Sequence, residues 1–272
     1  VVSYMPGAAT LNAANYINDV ASAEGTEMGI PNSGLPINGF VLNANGALDV
    51  TKLNWIGRLD AIDVVCVAWH SIPVKNFSDV KSRGLVLGGT SPTGTSVMTP
   101  VALNKLAGAK FRMVLGYKGT TEQYLAMERG EIEGMGNAIW SQLKRSNPKW
   151  IDERRITPIY QEGHARSADL PDVPTVIELA ENEDDKRMLR LLASSSVIGR
   201  SFYVGSRVPR DRVAILREAL RRTARDPAFL EAAEKLAIPI NPMDGEALQA
   251  MISDFASYPK ELLDRTRAAV AP

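Results

Sequence analysis

The chain has 272 residues, enough for two domains with a core each, and its composition, 45% hydrophobic and 23% charged, excludes the disordered and fibrous classes. Lys and Arg total 31, as do Asp and Glu, so no overall field draws nucleic acid, and no basic run flanked by aromatics supplies a local one. One Cys and two His exclude an internal disulfide and a His/Cys zinc cluster, and no apolar run reaches the roughly 20 residues of a membrane span.

In chain order, VVSYM is short and partly β-branched and is predicted as a strand, broken by MPGAAT before a helix with apolar positions at Leu11, Ala14 and Ile17. Gly25 closes that helix and TEMGI is the next predicted strand, giving an opening βαβ unit and a parallel sheet. Residues 31 to 56 read as loop, with a short turn or helix near VLNANGALDVTKL. VVCVAW is a buried strand in which Cys66 reads as a small hydrophobe. LVLGG is a strand, TSPTGTS a polar loop, and the helix that follows turns Val97, Met98, Val101 and Leu106 to a core. FRMVLGY is a strand, and GTTEQYLAMERGEIEG a helix closed by Gly130 with a short strand near Ile132. RRITPIYQ and VIGRSFYV are further strands, and ENEDDKRMLRLLAS is an amphipathic helix. The C-terminal part is mainly helical: Asp211 and Asp226-Pro227 mark helix starts, and Val213, Leu216 and Leu220 form one of three core-facing stripes.

The strongest functional string is GGTSPTGTS, between a strand and a helix. Its glycines and hydroxyls let backbone N–H groups converge on an anion at the positive end of the helix dipole. It lacks the Gly-Lys-Ser/Thr ending of a Walker A loop, which points to a carboxylate or phosphate and away from a nucleotide held by that device. An ordinary Ser/Thr-capped turn fits the same string. Tyr117-Lys118-Gly119-Thr120-Thr121 is a second strand-to-helix turn, equally readable as a cap. Neighbouring strands of one parallel sheet would bring both loops to one edge. Neither His70 nor His164 has a motif context, no G-x-S-x-G elbow is present, and Glu131/Glu133 and Asp184/Asp185 read as solvated faces, so no catalytic residue is assigned.

Taken in order, MPGAAT, GGTSPTGTS, GYKGTTEQYLAMERGEIEG, LPDVPT at 170–175, VPRDRVAILREAL and DPAFLEAAEKL resemble the substrate-binding proteins of tripartite tricarboxylate transporters, also called Bug receptors. The resemblance covers essentially the whole chain. It implies an α/β protein of two-lobed periplasmic-binding-protein (type II, Venus flytrap) architecture, a receptor in the periplasm that closes over one small organic carboxylate and delivers it to the membrane permease subunits, with no cofactor, metal or catalysis. By position the lobes would be 1–71 with 202–272, and 72–201, with VVCVAW near the first crossing and SFYV near the return. The resemblance carries ligand contacts to Thr90, Ser91, Thr93, Gly94, Thr95 and Ser96 in the first loop and Tyr117, Lys118, Gly119 and Thr120 in the second, with Asn32, Ser33, Gly34, Trp69 and Asn137 as further candidates. Two departures stand out: a first unit of roughly 50 to 60 residues that family members carry before VVSYMPGAA is absent, and Pro92 replaces a common glycine. The effector domain of a transcription regulator sensing an organic acid is the alternative, and it predicts a helix-turn-helix upstream.

Overall fold

The run NWIGRLD is buried at nearly every position rather than on alternate ones, so it carries no period-two signal. It is nonetheless β1 (Asn54–Asp60), the central strand of the first sheet. The computed structural model describes residues 1–5, 10–42, 46, 48–92 and 94–271. Contacts divide the chain into two units, Val1–Ile62 with Ile198–Pro259, and Asp63–Val197 with Lys260–Pro272. The first two limits fall upstream of the lobe limits expected from the sequence, and the terminal helix joins the second unit instead of the first. The cause is pairing: the strand VVCVAW lies wholly in the second sheet, and the last helix packs on a helix of that unit.

In the first unit, β1 pairs antiparallel with β7 (Arg200–Val204) on one side and β8 (Met243–Asp244) on the other. Trp55 and Tyr203 are fully buried with ring centroids 5.6 Å apart. Helices α9 (Arg210–Thr223) and α11 (Gly245–Ala256) pack on β1. Between them, α10 (Pro227–Lys235) starts as its sequence demands, with Asp226 accepting from the Phe229 amide at 2.9 Å and Pro227 in the first turn. The N-terminal segment holds α1 (Leu11–Asn15), which runs into a π-helical turn at Tyr16–Val20, and α2 (Leu35–Leu42). Residues 1–5, predicted as a strand, are exposed and form no ladder, and TEMGI contributes only a bridge from Gly29 to Tyr203. The predicted parallel βαβ opening is therefore not formed. β-Propensity produces a strand only where a partner edge is offered, and both edges of β1 are taken by strands from the C-terminal half.

The second unit is a five-stranded sheet in the order β4-β3-β5-β2-β6, built from β2 (Val64–Trp69), β3 (Leu85–Gly89), β4 (Phe111–Leu115), β5 (Gly134–Ile139) and β6 (Ile156–Gln161). β3 is parallel to β4 and β5, while β2 is antiparallel to β5 and β6. The strand predicted near Ile132 begins at Gly134; Ile132 instead fills the space over Gly88, where a Cβ would meet its Cδ1 at 2.8 Å. Of the flanking helices, α3 (Phe77–Arg83), α4 (Thr95–Leu106) and α5 (Thr120–Glu128) follow successive parts of the sheet, and α6 (Trp140–Ser146) and α7 (Pro148–Asp152) lead to β6. α8 (Glu183–Ile198) and α12 (Lys260–Val270) complete the unit. α12 packs on α4, and Lys105 donates to the carbonyl oxygens of Ala268 and Ala271, each at 2.7 Å. Among the described residues no helix is long and apolar enough to cross a membrane.

Candidate functional site

In a parallel sheet the carboxyl ends of neighbouring strands open onto one edge, each loop leading into a helix N-terminus. Gly89 of β3 is level with Leu115 of β4, so the loops 90–94 and 116–119 lie side by side, and the Tyr117 amide donates to the Gly89 carbonyl at 3.3 Å. On the other flank Gly88 is level with Met135, which brings Asn137 beside the end of β3. Between Val65 and Val67 of β2 the partner on β5 shifts by three residues, from Ala138 to Met135, so Gly136 and Asn137 form a bulge. A bulge frees a side chain from the regular alternation of its strand.

The first loop ends at Gly94, the N-cap of α4, which has no side-chain cap, and the first turn of α4 carries no acidic residue. Thr90 and Ser91 are exposed, and Thr95 is half-buried. Thr93 lies outside the described residues. Ser96 is 2% exposed and its Oγ has no hydrogen-bond partner, and Asn137 Oδ1 is likewise buried and unpartnered. Buried polar atoms of this kind cost about 1–3 kcal/mol each when left unmatched, a cost that a ligand supplying the missing hydrogen bond would offset. The bulge touches the same turn: a Cβ on Gly136 would stand 2.8 Å from Pro100 Cγ and 3.1 Å from the Ser96 carbonyl oxygen. Uncapped amides, the helix dipole and a buried hydroxyl together suit an anion at the start of α4.

The second loop differs. The Lys118 amide donates to the Glu122 carboxylate at 2.7 Å, so the N-terminus of α5 already holds a carboxylate of its own chain. Lys118 is exposed, Gly119 is the N-cap, and Thr120 is half-buried. Tyr117 packs against the core formed by Trp150 and its neighbours, and burial raises its phenol pKa. The geometry thus brings the two predicted loops and Asn137 to one edge and leaves the uncapped terminus at α4. Gln123, one turn into α5, adds a buried Oε1 without a partner.

Trp69 is not brought to that edge. It ends β2, and its amide donates to the Glu133 carbonyl just before β5 begins, which places it at the opposite end of the antiparallel pair from Asn137. It is buried against Trp150, ring centroids 5.0 Å apart, with the Arg155 guanidinium over its face. Asn32, Ser33 and Gly34 belong to the first unit and shape the entry to α2: Asn32 Oδ1 accepts from the Gly34 amide at 2.9 Å, and the Asn32 amide donates to Thr10 Oγ1.

No known protein-family pattern matches the chain, and no curated protein matches it. Solved structures do. A TctC solute-binding protein from Polaromonas is 16% identical with a TM-score of 0.70, the match covering 96% of this chain and 85% of that one. MatC from Rhodopseudomonas palustris with bound malate is 17% identical, TM-score 0.63, over 97% of this chain and 85% of that one. An R. palustris protein with adipate is 17% identical, TM-score 0.63, over 96% and 84%. The fold is that of the two-lobed periplasmic binding proteins. On this binding-protein fold two further residues near the loop edge carried no sequence signal. One is Gly136, whose lack of a side chain lets β5 approach α4. The other is Glu162, 6% exposed just after β6, where burial pushes its carboxyl up to about 7 despite the hydroxyls of Thr99 and Ser196 nearby. Gln161 beside it donates to the carbonyls of Leu170 and Val173, so the LPDVPT string clamps the end of β6.

Proposed function

We propose that this chain is a periplasmic solute-binding receptor of the tripartite tricarboxylate transporter type, which captures a small organic carboxylate and delivers it to membrane permease subunits. The observation that carries this reading is the start of α4: an N-terminus without side-chain cap or acid, with the buried Ser96 Oγ unpartnered in its first turn. One carboxylate of the ligand takes the amides of this turn and the Ser96 hydroxyl, with Asn137 and the Thr90–Ser91 loop beside it. The Tyr117–Thr120 loop contacts the remainder. The sequence resemblance and the ligands of MatC and the adipate-bound protein support the same ligand class. The chain does no chemistry on what it binds.

The test is a thermal-shift screen of the chain against malate, adipate, citrate and aromatic acids. A ligand present at about 100 times its Kd stabilises the native state by about 2.7 kcal/mol, a shift of several degrees. A clear rise for one acid class is the expected result; a flat panel, with amines and sugars equally silent, sinks the carboxylate reading.

A further inference from the structure

We infer that Glu162 is the proton-linked partner of the anion site at α4, binding a proton as the anion arrives and releasing it as the anion leaves. This rests on the receptor reading and adds the regulation of its site. Ser96 and Thr99 are three residues apart on α4, which puts them on one face and about 4.5 Å apart along the axis. Ser96 meets the anion, and the hydroxyl of Thr99 faces Glu162. A second route runs through the sheet. Tyr160, two residues before Glu162 on β6, donates its hydroxyl to the Gly136 carbonyl at 3.3 Å, and Gly136 packs against the Ser96 carbonyl.

The groups around Glu162 are Cys66 from β2, Tyr160 from β6, Thr99 from α4 and Ser196 from α8, and none of them is a cation. Cys66 and Tyr160 are fully buried, which raises both pKa values, so both stay neutral near pH 7. Glu162 Oε1 and Ser196 Oγ have no hydrogen-bond partner of sound geometry. An ionised Glu162 therefore has no cation among these groups, and the Thr99 hydroxyl that it faces lies one turn of α4 from Ser96. Two like charges at that spacing in a protein-like dielectric oppose each other enough to change affinity roughly tenfold. Protonation removes the opposition. Because burial already holds the carboxyl at about 7, the exchange falls near neutrality. By linkage, anion affinity falls as pH rises through that value.

The experiment is calorimetric titration of the whole chain with malate from about pH 6 to about pH 8.5, where both malate carboxyls are ionised, in buffers of different protonation enthalpy. The wild type is expected to weaken roughly tenfold across the range, with uptake of a fraction of a proton per malate bound that peaks between about pH 7 and about pH 8. Glu162→Gln is expected to bind at the tighter, low-pH level throughout, with no proton uptake, and Thr99→Val to move the transition to higher pH. Malate binding that is independent of pH in the wild type, or equally pH-dependent in Glu162→Gln, overturns the coupling alone. If neither protein takes up malate at any pH, the receptor reading fails for that acid and the coupling fails with it. Melting curves of the two ligand-free proteins keep the assignment open to defeat even then: parallel profiles from about pH 5 to about pH 8 show that Glu162 carries no titrating proton.

Discussion

Gly94 lies directly beneath Thr90: a Cβ on residue 94 would stand 2.9 Å from Thr90 Oγ1 and 3.2 Å from the Ser91 carbonyl oxygen. The backbone there has φ −72, so an alanine meets no torsional penalty and its whole effect is to push the loop open. Gly94→Ala is expected to weaken carboxylate binding about tenfold or more while changing stability by less than about 1 kcal/mol. Titration calorimetry beside urea unfolding separates the two. Equal losses in both would show that the loop supports the fold rather than a ligand.

Ser96→Ala tests the buried hydroxyl. Removing a polar atom that has no partner in the free protein recovers its desolvation cost, so the ligand-free variant is expected to be as stable as the wild type or up to about 1 kcal/mol more stable. Its ligand affinity is expected to fall about 5- to 20-fold, the worth of one hydrogen bond to a charged group. Melting temperatures with and without malate give both quantities in one experiment. A loss of stability in the free protein would mean that Ser96 already has a partner, such as a bound water.

Gly199 has φ +54, and a Cβ there would stand 2.2 Å from the Asp60 carbonyl oxygen. The obstacle is main chain, so no rotamer relieves it. Gly199→Ala is expected to lower the free energy of unfolding by about 3 kcal/mol or more, through the left-handed backbone and the displaced β1–β7 pairing. Gly119→Ala is the control: its backbone is extended and nothing lies within 4 Å, so the free energy of unfolding in urea should stay within about 0.5 kcal/mol of wild type.

Glu133 accepts two hydrogen bonds from the Arg83 guanidinium, at 2.7 and 3.1 Å, and one from the Val86 amide at 2.9 Å. The arginine beside it holds its carboxyl below the ordinary value of 4.5. A depressed acid contributes stability that is complete above its unfolded pKa and lost as pH falls through the folded one. Because both side chains are partly exposed, Glu133→Gln is expected to cost only about 1 kcal/mol at pH 7, with the two proteins converging below about pH 4. A gap that persists unchanged at acid pH would show that packing, not charge, is what the substitution removes.

How far the sequence could be read depended on where burial comes from. β2 and β3 are apolar runs punctuated by glycine or polar turns, legible because a buried strand of a covered sheet needs only that run, whereas β4, an edge strand with Val114 and Leu115 exposed, and β6 were legible from their β-branched and aromatic residues. The edge at which the two loops meet followed from the order of strand and loop. β1 was not legible, since its WIGRLD mixes an arginine and an aspartate into a buried strand; Arg58 is satisfied by the Asn241 carbonyl and Asp60 by Arg200, contacts made across most of the chain's length. VVSYM fails in the opposite sense, having the composition of a strand and pairing with none. Within the site, GGTSPTGTS was legible as a polar turn at a helix start but equally as a Ser/Thr-capped one, and only the structure shows that α4 has no side-chain cap, while Glu162 was hidden. In YQEGHA a lone acid at a strand end reads as solvated, and only the packing of α4 and α8 over it reveals that it is not.

The assignment of α12 to the second unit also bears on how the molecule is made. The first unit lacks its β7 and β8 until residues 198–259 exist, and the second lacks α12, with the carbonyls that receive Lys105, until the last residues follow. As the polypeptide is synthesised, the five strands of the second unit are therefore all present before β1 of the first has a partner, and the unit that holds the N-terminal residues is the later of the two to complete its sheet.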